Sequence, residues 1–168
     1  MIQDQHGAFQ GVYIIAPDVS GPCKVGISCD VASRIKGLQV GCWERLLVYS
    51  LSYVFRPIAG VTGAAKSFVE LSDCAKMVEA GAGRVFDDCD VKLHGEWADV
   101  SVDDARAVIE KVADSLGLAH CHCGPEEPFS SAMLNDDATS VGNAFVEDAW
   151  TRVQDAINSA SRLMKRRA

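Results

Sequence analysis

The sequence predicts an α/β fold, more narrowly α+β: a three-stranded antiparallel sheet flanked by helices, with a further helix at the C-terminal end. Three observations carry this expectation. Two short apolar runs, 11–15 (GVYII) and 23–28 (CKVGIS), are joined by the turn formers PDVSGP, which is the signature of a hairpin. A third run, 46–54 (LLVYSLSYV), is long enough and rich enough in β-branched and aromatic residues to be a strand. Between and after these runs, apolar residues recur with helical rather than strand periodicity.

Taken in order, Asp30 can cap a helix over about 31–39, where Val31, Ile35 and Leu38 fall on one stripe. Simple alternation in the third strand puts Leu47, Tyr49, Leu51 and Tyr53 on one face and Val48, Ser50, Ser52 and Val54 on the other. Residues 56–71 read as a loop with a short helix. A helix over about 72–86 follows, capped by Ser72 or Asp73 and weakened by Gly81 and Gly83. Residues 91–100 read as a loop or short strand. Ser101 and Asp104 resemble a capping box and open a helix with Ala105, Val108, Ile109, Val112 and Leu116 on one stripe; Gly117 is a natural stop. These elements define a domain over 9–118. Residues 119–143, rich in Pro, Gly, Ser and acidic side chains, read as a linker. Residues 144–168 read as an amphipathic C-terminal helix with Phe145, Ala149, Val153, Ile157, Ala160 and Met164 on one face, a surface that docks on the domain, pairs in a homodimer or binds another partner.

Composition narrows the setting. The 168 residues are 48% hydrophobic, enough for a packed core, and no apolar run reaches the roughly 20 residues that span a bilayer, so no membrane partner is expected. The first residues, MIQDQHGAFQ, lack a basic stretch followed by an apolar one, so no secretory signal is expected. Seven irregularly spaced cysteines argue against a disulfide framework and for a reducing, cytoplasmic setting. The net charge of −7 excludes a protein that coats nucleic acid by bulk charge. The charge is uneven, however: residues 1–57 hold five Lys/Arg against four Asp/Glu, and residues 58–168 hold eleven against nineteen.

Gly11-Val12-Tyr13, then Lys24-Val25-Gly26, then Arg34 set a tyrosine, a lysine and an arginine in the order strand, strand, helix. With Arg34 through Gly41 reading RIKGLQVG, this block resembles the GIY-YIG nuclease family. The likeness is to a branch, widespread in phage and bacterial proteins, that has Lys-Ile-Gly at the second motif. Two weaker elements extend the resemblance over about residues 9–113. Ala75, Val78-Glu79, Gly83 and Phe86 occupy the frame of the branch's "A..lE…H..F" helix, and Gly95-Glu96-Trp97 stands where the branch has Gly-Glu-Trp-Phe. Glycine at 83 replaces the branch's histidine, and Ala98 replaces its phenylalanine.

The resemblance implies hydrolysis of a DNA phosphodiester bond with one divalent ion, Mg²⁺ or Mn²⁺; RNA stays open as the target. Tyr13 would activate water or take its proton. Lys24 would lower that phenol's pKa or contact phosphate, Arg34 would stabilise charge on the phosphoryl oxygens, and Glu79 would bind the metal. Phosphoryl transfer needs chiefly positioning and charge neutralisation, which suits this set. A phenol near pKa 10 is a poor base unless cations depress it, and Lys24 and Arg34 are the expected cations. Lys36 and His94 are candidates for substrate contact, and Glu70 competes with Glu79 for the metal. Each residue alone has a plainer reading: Tyr13 as a core aromatic, Lys24 as an edge-strand charge, Arg34 and His94 as solvated surface. Gly83, Ala98 and the acidic balance suit the alternative, a catalytically reduced domain that binds nucleic acid or protein. His120-Cys121-His122-Cys123 has the residue types of a zinc site, but adjacent ligands close one tetrahedron poorly, so a structural zinc is not expected.

Overall fold

The structure is a computed structural model and describes residues 10–56, 64–125 and 127–131. The expected C-terminal helix over 144–168, its dimer surface and most of the 119–143 segment lie outside these residues. In chain order the elements are β1 (Gly11–Ala16), β2 (Cys23–Ser28), α1 (Val31–Val40), β3 (Leu47–Phe55), α2 (Ala64–Asp88), β4 (Trp97–Ala98), α3 (Val102–Ser115), β5 (Ala119–Gly124) and β6 (Phe129–Ser130). The sheet is antiparallel throughout, with strand order β4-β2-β1-β3-β5 and β6 paired to β3. Among the described residues it therefore has six strands, not three.

Two of the extra strands come from a segment expected to be a linker. Residues 119–124 carry histidine, cysteine and a terminal glycine rather than strand formers, yet they pair with β3 from Leu51 to Phe55. Pairing with an existing edge satisfies backbone groups whatever the side chains are, so tertiary context overrides weak propensity here. The domain thus extends past 118 to at least residue 131.

The sheet separates two apolar clusters. On one face α1 covers Tyr13, Ile15, Val48, Leu51, Tyr53 and Phe55 with Val31 and Ile35. On the other, α2 and α3 cover Val12, Ile14, Val25 and Val54 with Ala75, Val78, Ala82, Phe86, Ala105 and Ile109. The expected alternation in β3 fails at Tyr49. Ile14 pairs with Ser50 and Ile15 with Val48, so Tyr49 is an extra residue, a β-bulge that flips the faces on either side of it. Val48 thereby joins Leu51 and Tyr53, while Tyr49 packs with the α2–α3 cluster.

The caps behave as their residue types dictate. The Asp30 carboxylate accepts from the Ser33 N–H at 2.9 Å, and the Ser101 hydroxyl accepts from the Asp104 N–H at 3.1 Å. The long central helix is unbroken from Ala64, so Ser72 and Asp73 are interior rather than capping. The preceding AAKSFVEL has good helix formers and no breaker. Gly81, expected to weaken this helix, lies tight against α3: a Cβ there would lie 2.5 Å from Val112 Cγ1. Its helix-propensity cost is offset by that close packing.

Cys23 lies fully buried in the α2–α3 cluster. Burial, helped by the charge of Asp104, pushes its thiol from the ordinary 9.0 to about 12. The folded chain then keeps a proton that the unfolded chain loses, so this stability is complete below about pH 9 and is lost as pH rises toward 12. Cys23→Ala is expected to flatten the fall of the urea midpoint between pH 9 and 10 relative to wild type. An unchanged slope would remove Cys23 from the alkaline transition.

Candidate active site

The sheet register explains the first motif. Tyr13 on β1 is paired with Gly26 on β2, and any Cβ at 26 would overlap the Tyr13 hydroxyl and ring. Glycine is thus the residue that lets the phenol lie across β2, fully buried. The α1 helix, started by the Asp30 cap, puts Arg34 over this phenol: Arg34 Nε donates to the Tyr13 hydroxyl oxygen at 3.1 Å.

Lys24 enters from the start of β2. Its neighbour across the sheet edge is Trp97 of β4, and the residue before Trp97 is Glu96. Lys24 Nζ donates to Glu96 Oε2, and Arg34 Nη2 lies 4.0 Å from the same oxygen. The lysine is buried, with its side chain 8% exposed, whereas Glu96 and Arg34 remain about half open to solvent, at 49% and 46%. The turn that presents Glu96 is held by Leu93 N–H donating to the Trp97 carbonyl at 2.8 Å, with Gly95 at φ +65°.

Glu79 arrives from α2 on the opposite face. β4 pairs only with Cys23 and Lys24, so it leaves the rest of that edge of β2 without a strand neighbour. The Ile27 backbone N–H on that stretch donates to the Glu79 carboxylate. Burial and the charge of Glu96 nevertheless raise the Glu79 pKa above its ordinary 4.5, against the lowering by Ile27, Lys24 and Arg34. Glu70, the competing carboxylate, stands about two and a half turns earlier on the same helix.

Four of the six residues singled out in the sequence, Tyr13, Lys24, Arg34 and Glu79, are thus coupled in one cluster. Lys36 and His94 are exposed, on α1 and in the 93–96 turn, and no contact among the described residues ties either to the cluster. The cluster has a fifth member that sequence reasoning passed over. Glu96 was visible only as the middle of Gly95-Glu96-Trp97, and its pairing to Lys24 appears once β4 is laid against β2.

One expectation is corrected. The Tyr13 pKa is raised above 10.0, not depressed. Burial is the largest influence, and together with the charges of Glu96 and Glu79 it outweighs the hydrogen bond and charge of Arg34. The charge of Lys24, expected to help ionise the phenol, is committed to Glu96.

As a donor set, the cluster offers two carboxylates, Glu79 and Glu96, beside the two cations Lys24 and Arg34. Among the described residues there is no group of three or more His, Cys, Asp or Glu side chains placed to hold a metal ion. Two carboxylates fit a hard divalent cation that keeps several of its waters, and they do not fit zinc. The His-Cys run of β5 makes other contacts: His122 Nδ1 is 3.3 Å from Ser50 Oγ, and His120 Nε2 is 3.6 Å from Asp114 Oδ1. No described helix is long and apolar enough to cross a membrane. Set against family models, curated proteins and solved structures, the chain matches none.

Proposed function

We propose that this chain is a metal-dependent endonuclease that hydrolyses DNA phosphodiester bonds through a GIY-YIG-type site. The observation that carries the reading is the coupling of Tyr13, Lys24, Arg34, Glu79 and Glu96, brought from five different elements or turns to one edge of the sheet. A core aromatic and four unrelated charges have no reason to meet in this way.

Glu79, with Glu96 beside it, would hold Mg²⁺ or Mn²⁺, which when bound polarises a phosphoryl oxygen and lowers the pKa of water. The remaining chemistry belongs to the chain. Arg34, half exposed above the phenol, meets the scissile phosphate and stabilises its developing charge. Tyr13 receives the Arg34 Nε–H on its oxygen and keeps its own O–H to donate. Once the carboxylate charges are offset, Arg34 lowers the phenol's pKa against burial, which still raises it. In the fraction of molecules whose phenol has lost its proton to solvent, the Tyr13 oxygen takes a proton from the attacking water. Lys24 acts through Glu96: it fixes that carboxylate at the mouth of the site while staying buried itself. Lys36 and His94 contact the substrate away from the reacting phosphate.

One observation favours a second reading, a domain of the same type with reduced catalysis that acts as a binding module. Position 83 lies one turn after Glu79 on α2, where a histidine would be its neighbour, and glycine stands there with nothing within 4 Å of an added Cβ. The space for an imidazole is present without the imidazole. Plasmid cleavage with Mg²⁺ or Mn²⁺ by wild type, Arg34→Ala and Gly83→His separates the readings. Wild type is expected to nick, Arg34→Ala to lose at least about 100-fold, and Gly83→His to gain, because a placed acid–base group contributes about 10²–10⁴-fold. An inert wild type beside an active Gly83→His establishes the reduced domain. Inertness of both removes catalysis.

A further inference from the structure

We infer that the end of α1 and the loop after it form a stacking platform for unpaired nucleobases, with Trp43 as its aromatic surface; this rests on the nuclease reading above. Trp43 is 92% exposed and Val40, the last residue of α1, is 91% exposed. No other large apolar side chain among the described residues exceeds 53%. A tryptophan so open on a floppy loop would mean little. This loop is built. The Gln39 amide reaches out of α1 and donates to the Cys42 carbonyl at 3.1 Å and the Glu44 carbonyl at 2.7 Å, and its oxygen accepts from the Leu46 N–H at 2.8 Å. Arg45 Nη2 then ties the loop to the buried Ser130 hydroxyl at 2.9 Å. One half-buried amide with three bonds and one cross-strand anchor hold Trp43 out in water. A rigid exposed aromatic is the feature that binds with little further loss of conformational entropy.

Charge and position identify the occupant. In a chain of net charge −7, residues 31–46 hold Arg34, Lys36 and Arg45 against Glu44 alone. Lys36 and Val40 stand one turn apart on one face of α1. Arg34, already placed over the Tyr13 hydroxyl, is in the first turn of the same helix, about 200° around it from Lys36. Lys36 to Val40 is about 6 Å of helix rise, or about two nucleotides at the roughly 3.4 Å spacing of stacked bases. A strand with a phosphate at Lys36 therefore carries its bases to Val40 and Trp43. Stacking on an aromatic is indifferent to base identity but needs an open π-face, so the ligand is a single strand or an unpaired segment rather than intact duplex.

The test uses the full chain and a dye-labelled mixed-sequence oligonucleotide, as a single strand and as the duplex, with binding read by fluorescence anisotropy across a salt series. Trp43→Ala is expected to weaken single-strand binding by about 5- to 100-fold and to leave the salt slope unchanged, whereas Trp43→Phe restores most of the affinity. Lys36→Ala is expected to reduce the slope of log affinity against log salt by about 0.7, the share of one phosphate on a single strand. Duplex binding should be insensitive to Trp43→Ala. If wild type binds and cleaves but Trp43→Ala binds the single strand as wild type does, the platform is wrong and the nuclease reading stands. If Trp43→Ala alters only the sedimentation coefficient, the patch is a contact between copies and the inference fails. If wild type neither binds nor cleaves nucleic acid, both readings fall together.

Discussion

Glu79→Gln is expected to abolish divalent-ion-dependent cleavage and, in the absence of added metal, to raise thermal stability. The two signs have one cause. The Glu79 pKa is raised by burial and by the charge of Glu96, so its ionised form is disfavoured in the folded state relative to the unfolded chain. For a group whose pKa is raised on folding, the stabilising contribution is present below the unfolded value, near 4.5, and is lost as pH rises through the folded one. At neutral pH, then, the carboxylate is held against its preference. Glutamine keeps the shape and an oxygen to accept from Ile27 while removing the charge. Rates should fall by about 10²-fold or more, because a neutral amide is a poor ligand for a hard cation. The melting temperature should move up, and the gain should vanish below about pH 4, where the wild-type carboxyl is neutral as well. A melting temperature that falls at pH 7 would show that Glu79 serves the fold.

Tyr13→Phe carries the second large effect. Phenylalanine fills the same buried volume over Gly26, and Arg34, half exposed, can return its Nε–H to water, so stability should change little. Cleavage should fall by about 10²–10⁴-fold, the usual contribution of a placed proton acceptor. The pH profile gives a sharper test. Because the phenol is raised above 10.0, only a small fraction is ionised near neutrality, so the wild-type rate should climb with pH through the range above 7. In Tyr13→Phe the residual rate should be flat over that range. A profile with the same slope in both proteins would assign the base elsewhere.

Much of this site could be read from the chain because its parts are local. Tyr13, Gly26 and the Asp30–Arg34 helix start lie within 22 residues of hairpin and cap, and the physics of a turn and an N-cap is short-ranged. Glu79 was legible through its frame on an amphipathic helix. What escaped was what depends on pairing over long separations. Lys24 and Glu96 meet only because a two-residue strand docks on the edge of β2. Residues 119–124 become a strand only because β3 offers them an edge. Tyr49 changes faces because of a bulge, which no pattern of alternation announces. The sign of the Tyr13 shift escaped for a related reason. Counting nearby cations ignores burial and the two carboxylates that share the site, and together these outweigh Arg34.

The most direct test of the account is a Mn²⁺ titration of supercoiled-plasmid nicking by wild type and Glu79→Gln, with chelator added at the end. The account predicts saturable, chelator-sensitive nicking by wild type and none above background by Glu79→Gln at any ion concentration. Equal nicking by the two proteins, or nicking that survives the chelator, would contradict a metal-dependent site built on Glu79.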